Sequence, residues 1–202
     1  PKNFSDNYSG SISLIESFKN SSNIIPLKIA DYLGLKKIIN LANLFGLGYE
    51  QKLEEFLPLA IGSYGDNLLN ITNAYAVLNN NGNLNVPSVI EKIESKNYEL
   101  IWENKFIYKK ILDSKVNNNL NILLERSVSE GTSIAASIKG KKVYGKTGTS
   151  DGNRDLWFIG SLDNLTTGIW IGYDDNKESE LSSGNAAYFW KKFVSKIFDL
   201  KN

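Results

Sequence analysis

Apolar residues recur at helical spacing through most of this chain and at strand spacing near its end. Ile12, Leu14, Ile15 and Phe18 predict a short helix over residues 11–19, behind a polar, loop-like start over residues 1–10. Asn20-Ser21-Ser22-Asn23 breaks the pattern with cap- and turn-type residues. A second helix is expected through Ile29 and Tyr32 to a stop at Gly34. A third follows over residues 35–45, with Leu35, Ile38, Ile39, Ala42 and Phe45 on one face and Gly46 and Gly48 behind it. Residues 57–65 read as loop. Residues 67–79 read as a helix with Leu68, Ile71, Ala74, Tyr75 and Leu78 inward, stopped by Asn79-Asn80-Asn81-Gly82. Residues 86–93 and 98–102 predict a hairpin around Ser95-Lys96-Asn97, and residues 120–128 a helix ended by Gly131. Three strands are expected over 142–148, 156–162 and 166–173, the last two joined at Asp163-Asn164. A closing helix over 184–198 carries Ala187, Phe189, Trp190, Phe193, Val194 and Ile197. Helices first, then a meander and a covering helix, predict an α+β fold with an antiparallel sheet flanked by helices.

Composition narrows the chemistry. The 202 residues are 42% hydrophobic and 22% charged with a net charge of +1, which suits one globular domain or a large part of one. That balance gives no electrostatic case for a nucleic-acid partner. There is no Cys, so neither a disulfide nor a thiolate site can form, and an extracytoplasmic location fits. There is no His, so a general base must be Lys, Asp, Glu or Tyr. No apolar run is long enough to span a bilayer. The chain opens on Pro1 and contains no Met, and it is expected to be a piece of a longer protein.

Gly145-Lys146-Thr147-Gly148-Thr149-Ser150 is the stretch richest in chemistry. A Lys there can hold charge against an anion, or lose its proton when desolvated and act as a base. Thr147 and Thr149, two positions apart on a strand, share a face, and the glycines admit close backbone approach. Two motif readings compete. One is the Lys-Thr-Gly box of serine acyl transferases. The other is a phosphate loop, because residues 140–147 also fit G-x-x-x-x-G-K-[ST]. A phosphate loop must open a helix, whereas Gly148-Thr149-Ser150-Asp151-Gly152-Asn153 are poor helix formers. A plain β-hairpin carrying a chance Lys-Thr-Gly is the bland reading.

A serine acyl transferase without His needs a Ser activated by Lys, and its signature set is S-x-x-K, an S-D-N-like triplet and K-T-G. Ser-x-Asn begins at Ser5, Ser21, Ser95 and Ser183, so the triplet alone carries no weight. Ser21-Ser22-Asn23 is the best placed, in a break between two helices, although on spacing alone a helix cap is the better explanation. The wider order of segments carries more. Pro1-Lys2-Asn3, Tyr8-Ser9-Gly10, Ser21-Ser22-Asn23-Ile24, Ile61-Gly62-Ser63 and Ile71-Thr72-Asn73-Ala74-Tyr75-Ala76 come in sequence. Asn80-Asn81-Gly82, Gly131-Thr132, the Lys-Thr-Gly stretch, Asp155-Leu156-Trp157-Phe158-Ile159-Gly160 and Trp170-Ile171-Gly172-Tyr173-Asp174 follow. In that order and spacing the chain resembles the C-terminal part of the transpeptidase domain of class A penicillin-binding proteins.

The resemblance implies a peptidoglycan D,D-transpeptidase that cross-links stem peptides through a serine acyl-enzyme and is a target of β-lactams. It implies that Ser21 relays protons and that Asn23 holds the amide of the donor peptide. Lys146 would supply positive charge and take part in proton transfer. Thr147 and Thr149 would grip the terminal carboxylate of a peptide or β-lactam. The Thr149 N–H would form half of an oxyanion hole, and Gly148 would permit the close approach. No cofactor or metal is implied. The partners implied are stem peptides, β-lactams and the remaining part of the same protein. That part would bring the first sheet strands, a glycosyltransferase domain and the only membrane anchor, with this domain on the extracytoplasmic side. No Ser-x-x-Lys occurs in the 202 residues, so the nucleophile is expected upstream and this chain alone is expected to be inactive. Without those strands, 166–173 is expected to be an open edge and the isolated chain poorly stable or self-associating. Within the superfamily a D,D-carboxypeptidase or β-lactamase-like hydrolase is the alternative. From other classes a P-loop nucleotide-binding protein or a non-catalytic wall-binding module remains.

Overall fold

The computed structural model describes residues 10–49, 52–106 and 108–200. The expected loop over residues 1–10 lies outside them apart from Gly10, as do Pro1-Lys2-Asn3 and Tyr8-Ser9 of the resemblance. The chain builds an α+β fold around an antiparallel sheet of three strands: β5 (Val143–Thr149), β6 (Asp155–Leu162) and β7 (Leu165–Gly172), in the order β5-β6-β7. The strands match the expected ones to within two residues. Leu162 pairs with Leu165 across the tight turn, where Asp163 takes a left-handed φ of 51° that a short polar side chain tolerates. β5 is one edge of this sheet, and β7 pairs only with β6 among the described residues.

Each sheet face is covered differently. Phe158 and Leu162 on one face pack against α6 (Ser183–Ile197), where Phe158 meets Trp190 edge-on at 5.2 Å. Gly145 and Gly160 sit opposite one another in register and leave the room these rings occupy. A Cβ on Gly160 would lie 2.5 Å from Phe158 and 2.8 Å from Trp190. On the other face Ile159 is buried, and α4 (Leu68–Asn79) packs against β7, with Leu68 and Thr72 closing over Gly168. The helix α5 (Ser114–Glu130) lies against β5 and carries α1 (Leu14–Lys19) on it. Beyond the break at residues 20–23 come α2 (Ile24–Leu33) and α3 (Leu35–Leu44).

Several expectations change. The predicted hairpin is shorter: β2 (Lys92–Glu94) pairs with β3 (Leu100–Glu103), while residues 86–91 form no strand. Pro87 cannot donate to a ladder, and Val89 is fully exposed. Tyr98 belongs to the turn, with φ 62°. A second, unforeseen pair joins β1 (Asn83–Asn85) to β4 (Tyr108–Lys110). The loop expected over 57–65 holds a 3₁₀ turn, Leu57–Ile61. The predicted inner face of α3 is only half-buried, and no residue of that helix reaches the core. In α6 the stripe of Ala186, Ala187, Trp190 and Val194 is buried, whereas Phe189, Phe193 and Ile197 are about half exposed, against expectation. The phosphate-loop reading fails, because β5 runs through Gly145 to Thr149 and Thr147 opens no helix.

Candidate active site

The Ser-x-Asn break and the Lys-Thr-Gly strand meet. Ser21, between α1 and α2, has φ 51°, a backbone region that costs a non-glycine residue about 1–2 kcal/mol. That conformation presents its hydroxyl to Lys146 on β5, and Lys146 Nζ donates a hydrogen bond to Ser21 Oγ. The same ammonium donates to Thr132 Oγ1 at 3.3 Å and to the Thr147 carbonyl at 3.2 Å. An ammonium has three hydrogens, and all three are placed. Its partners are neutral, so its positive charge is available to an anion. Burial lowers the Lys146 pKa from 10.5 to about 8.

Thr147 contributes in two directions. Its Oγ1 donates to Thr132 Oγ1 at 3.1 Å, and its N–H donates to Ser133 Oγ at 3.1 Å. The second bond fixes the strand's orientation. N–H and C=O groups alternate sides along a strand. With the Thr147 N–H turned away from β6, Thr149 two residues on turns its N–H and C=O to the same free edge. Ser150 accordingly faces inward, its N–H donating to the Asp155 carbonyl at 3.0 Å. The edge of β5 thus turns the N–H of Thr149, an exposed residue, to the side away from β6. At Gly148 a Cβ would stand 3.3 Å from Cβ of Trp157, its cross-strand partner, so the absence of a side chain serves sheet packing there. Asn23 is the N-cap residue of α2, half-buried and two residues beyond Ser21.

Two residues without an assigned role complete the site. In the sequence Thr132 carries only part of the family resemblance, and no motif marks Ser133. Gly131 ends α5 and lies against Lys19, the last residue of α1. The next N–H, of Thr132, donates to the Lys19 carbonyl at 2.9 Å. Lys19 also pairs with Glu16 at 2.8 Å and Glu130 at 3.1 Å, which together raise its pKa. Ser133 is fully buried, 2.8 Å from Ser127 Oγ, and anchors Thr147 from behind. Residues 131–133 therefore tie the end of α1, which carries Ser21, to β5, which carries Lys146. The signal in the sequence was a Thr-Ser pair directly after a helix-ending Gly and shortly before a strand. At the other end of the strand, Asp155 accepts from Ser150 Oγ at 2.9 Å and from Trp170 Nε1 at 3.0 Å, holding β5, β6 and β7 together.

A serine, a lysine and a hydroxyl-bearing strand edge brought together in this way are the residue types of the Ser-x-Asn and Lys-Thr-Gly motifs of serine-type acyl transferases. The chain belongs to the family described as penicillin binding protein transpeptidase domain, which its residues 2–187 match. It is 30% identical over 201 residues to penicillin-binding protein 1A of Rickettsia prowazekii, covering 88% of this chain and 25% of that protein. The chain thus spans about a quarter of the length of the curated relatives it matches. Among solved structures it resembles penicillin-binding protein 1A from Haemophilus influenzae with a TM-score of 0.88, at 21% identity, over 100% of this chain and 36% of that one. The PonA1 protein of Mycobacterium tuberculosis, solved in complex with penicillin V, matches with a TM-score of 0.86 at 18% identity, over 100% of this chain and 60% of that one. At these identities the structural likeness establishes the fold.

Proposed function

We propose that these 202 residues are the second- and third-motif part of a peptidoglycan D,D-transpeptidase, which forms an acyl-enzyme on a serine carried elsewhere in the same protein. The observation that carries the reading is the convergence of Lys146 Nζ on Ser21 Oγ, which brings the Ser-x-Asn and Lys-Thr-Gly motifs together. The family match supports the reaction class. In this reading the terminal carboxylate of a stem peptide, or of a β-lactam, lies against Lys146, Thr147 and Thr149. The donor peptide runs along the free edge of β5, with Asn23 on its amide. The Thr149 N–H meets the carbonyl oxygen that becomes negative in the transition state, where losing one such donor typically costs about 3 kcal/mol of barrier. As the tetrahedral intermediate collapses, Ser21 gives its proton to the departing nitrogen and takes one from the Lys146 ammonium. An amine of a second stem peptide then attacks the acyl-enzyme and completes the cross-link. The domain works on the extracytoplasmic side of the membrane, and the remainder of the protein supplies nucleophile and anchor.

The test uses the full-length protein that carries this chain, a stem-peptide analogue ending in two D-residues, and a D-amino acid as acceptor. The exchange product should form, should vanish when Lys146 is replaced by Ala, and should be blocked by penicillin. A donor left untouched, together with indifference to penicillin, would overturn the reading.

A further inference from the structure

We infer that Thr132 is a positioning residue that sets the direction of the Ser21 hydroxyl, making Ser21 a proton donor to the cleft. This rests on the transpeptidase reading of the site and adds to it a residue outside both motifs. The argument is a count of donors and acceptors. Thr132 Oγ1 can accept two hydrogen bonds and has one proton to give. It accepts from Thr147 Oγ1 at 3.1 Å and from Lys146 Nζ at 3.3 Å. Both acceptor positions are then filled, and among the described residues its own proton has one remaining partner, Ser21 Oγ at 3.4 Å. Ser21 Oγ therefore accepts from Thr132 and from Lys146. With both its acceptor positions occupied, the Ser21 O–H is left to donate, and Ser21 is an exposed residue. Without Thr132, one lone pair of Ser21 is freed and its hydroxyl can turn back to accept from other groups.

The backbone supports a dedicated role. Thr132 N–H is bonded to the Lys19 carbonyl and Ser133 Oγ holds the Thr147 N–H, so the Thr132 side chain is pinned between the two elements that carry Ser21 and Lys146. The wiring also predicts how the site answers a ligand. A bound carboxylate competes with Thr132 for the Thr147 proton. Loss of the Thr132 hydroxyl leaves Thr147 free to donate to that carboxylate, so recognition survives while proton delivery suffers.

The experiment compares wild type, Thr132→Val and Thr132→Ser in the full-length protein. The first-order acylation rate and half-saturation concentration are measured with a chromogenic β-lactam, and the Lys146 titration by lysine-selective 13C NMR. Thermal unfolding is followed alongside. Thr132→Val should slow acylation about tenfold with the half-saturation concentration unchanged or lower. It should also move the Lys146 titration to lower pH, because the ammonium loses one acceptor. Thr132→Ser should restore both. Wild-type rate and Lys146 titration in Thr132→Val would overturn the role of Thr132. So would a Thr132→Ser protein that melts like wild type but is as slow as Thr132→Val. A wild-type protein that no β-lactam acylates would instead overturn the underlying reading of the site.

Discussion

Gly131→Ala is expected to separate Ser21 from Lys146 while leaving every titratable and hydroxyl group of the site in place. The added Cβ would fall on the Lys19 carbonyl oxygen, and it would stand 2.9 Å from both the carbonyl carbon and Cβ of Lys19. Carbon atoms settle at about 3.5–4.0 Å, so α1 and the end of α5 must part by roughly 0.6 Å or more. The contact is with backbone and cannot be relieved by turning a side chain. Overpacking of this kind costs about 1–3 kcal/mol. The displacement breaks or lengthens the bond from Thr132 N–H to the Lys19 carbonyl, now 2.9 Å, and carries the break at residues 20–23 away from β5. A misplacement of about 1 Å in a catalytic constellation can cost on the order of a hundredfold in rate, so acylation should slow about tenfold to a hundredfold. The assay is stopped-flow acylation of the full-length protein by a fluorescent penicillin, with urea unfolding on the same sample. A Gly131→Ala protein with wild-type acylation and stability would refute the claim that Gly131 sets the distance between the two motifs.

Two further outcomes follow from the same geometry. Ser21→Gly and Ser21→Ala should both abolish transpeptidation, but the Gly variant should be more stable by about 1 kcal/mol, because only Ala retains the penalty at φ 51°; equal unfolding midpoints would contradict this. Lys146 has a folded pKa of about 8 against an ordinary 10.5, so between these values the folded state binds fewer protons than the unfolded one and stability should rise with pH, by up to about 3 kcal/mol. Lys146→Met should lose that rise, which urea titrations from pH 7.5 to 10.5 would detect; equal slopes in both proteins would contradict it.

What the sequence made legible follows from how local the signals are. The strand around Trp157 reads as a short apolar run bounded by turn residues, and Gly34 and the Asn-Gly stop at residues 79–82 punctuate helices by backbone chemistry alone. Ser21 and Lys146 could be nominated from motif order, although 125 positions separate them. Thr132 and Ser133 were harder, because their roles depend on which helix end meets which strand edge. The hairpin expected over residues 86–93 and 98–102 is shorter in the structure, because apolar composition there does not outweigh Pro87, which cannot donate to a ladder. The outer stripe of α6 misled for a related reason: Phe189, Phe193 and Ile197 are as apolar as the inner stripe, and periodicity cannot tell a face packed within the described residues from one that is not. At Gly148 the structure adds a packing reason beside the expected close approach, because a Cβ there would stand 3.3 Å from Trp157.

Intact-mass spectrometry after incubation with penicillin separates recognition from attack in a single experiment. The 202-residue chain should retain no covalent adduct after denaturation, since in the proposed reading it would hold the carboxylate-binding edge and the proton relay, and it contains no Ser-x-x-Lys. The full-length protein that carries it should gain one acyl group per molecule, and Lys146→Ala should suppress that gain. A stoichiometric, denaturation-resistant adduct on the 202-residue chain itself, or unimpaired acylation of the full-length protein without Lys146, would contradict the assignment of this site.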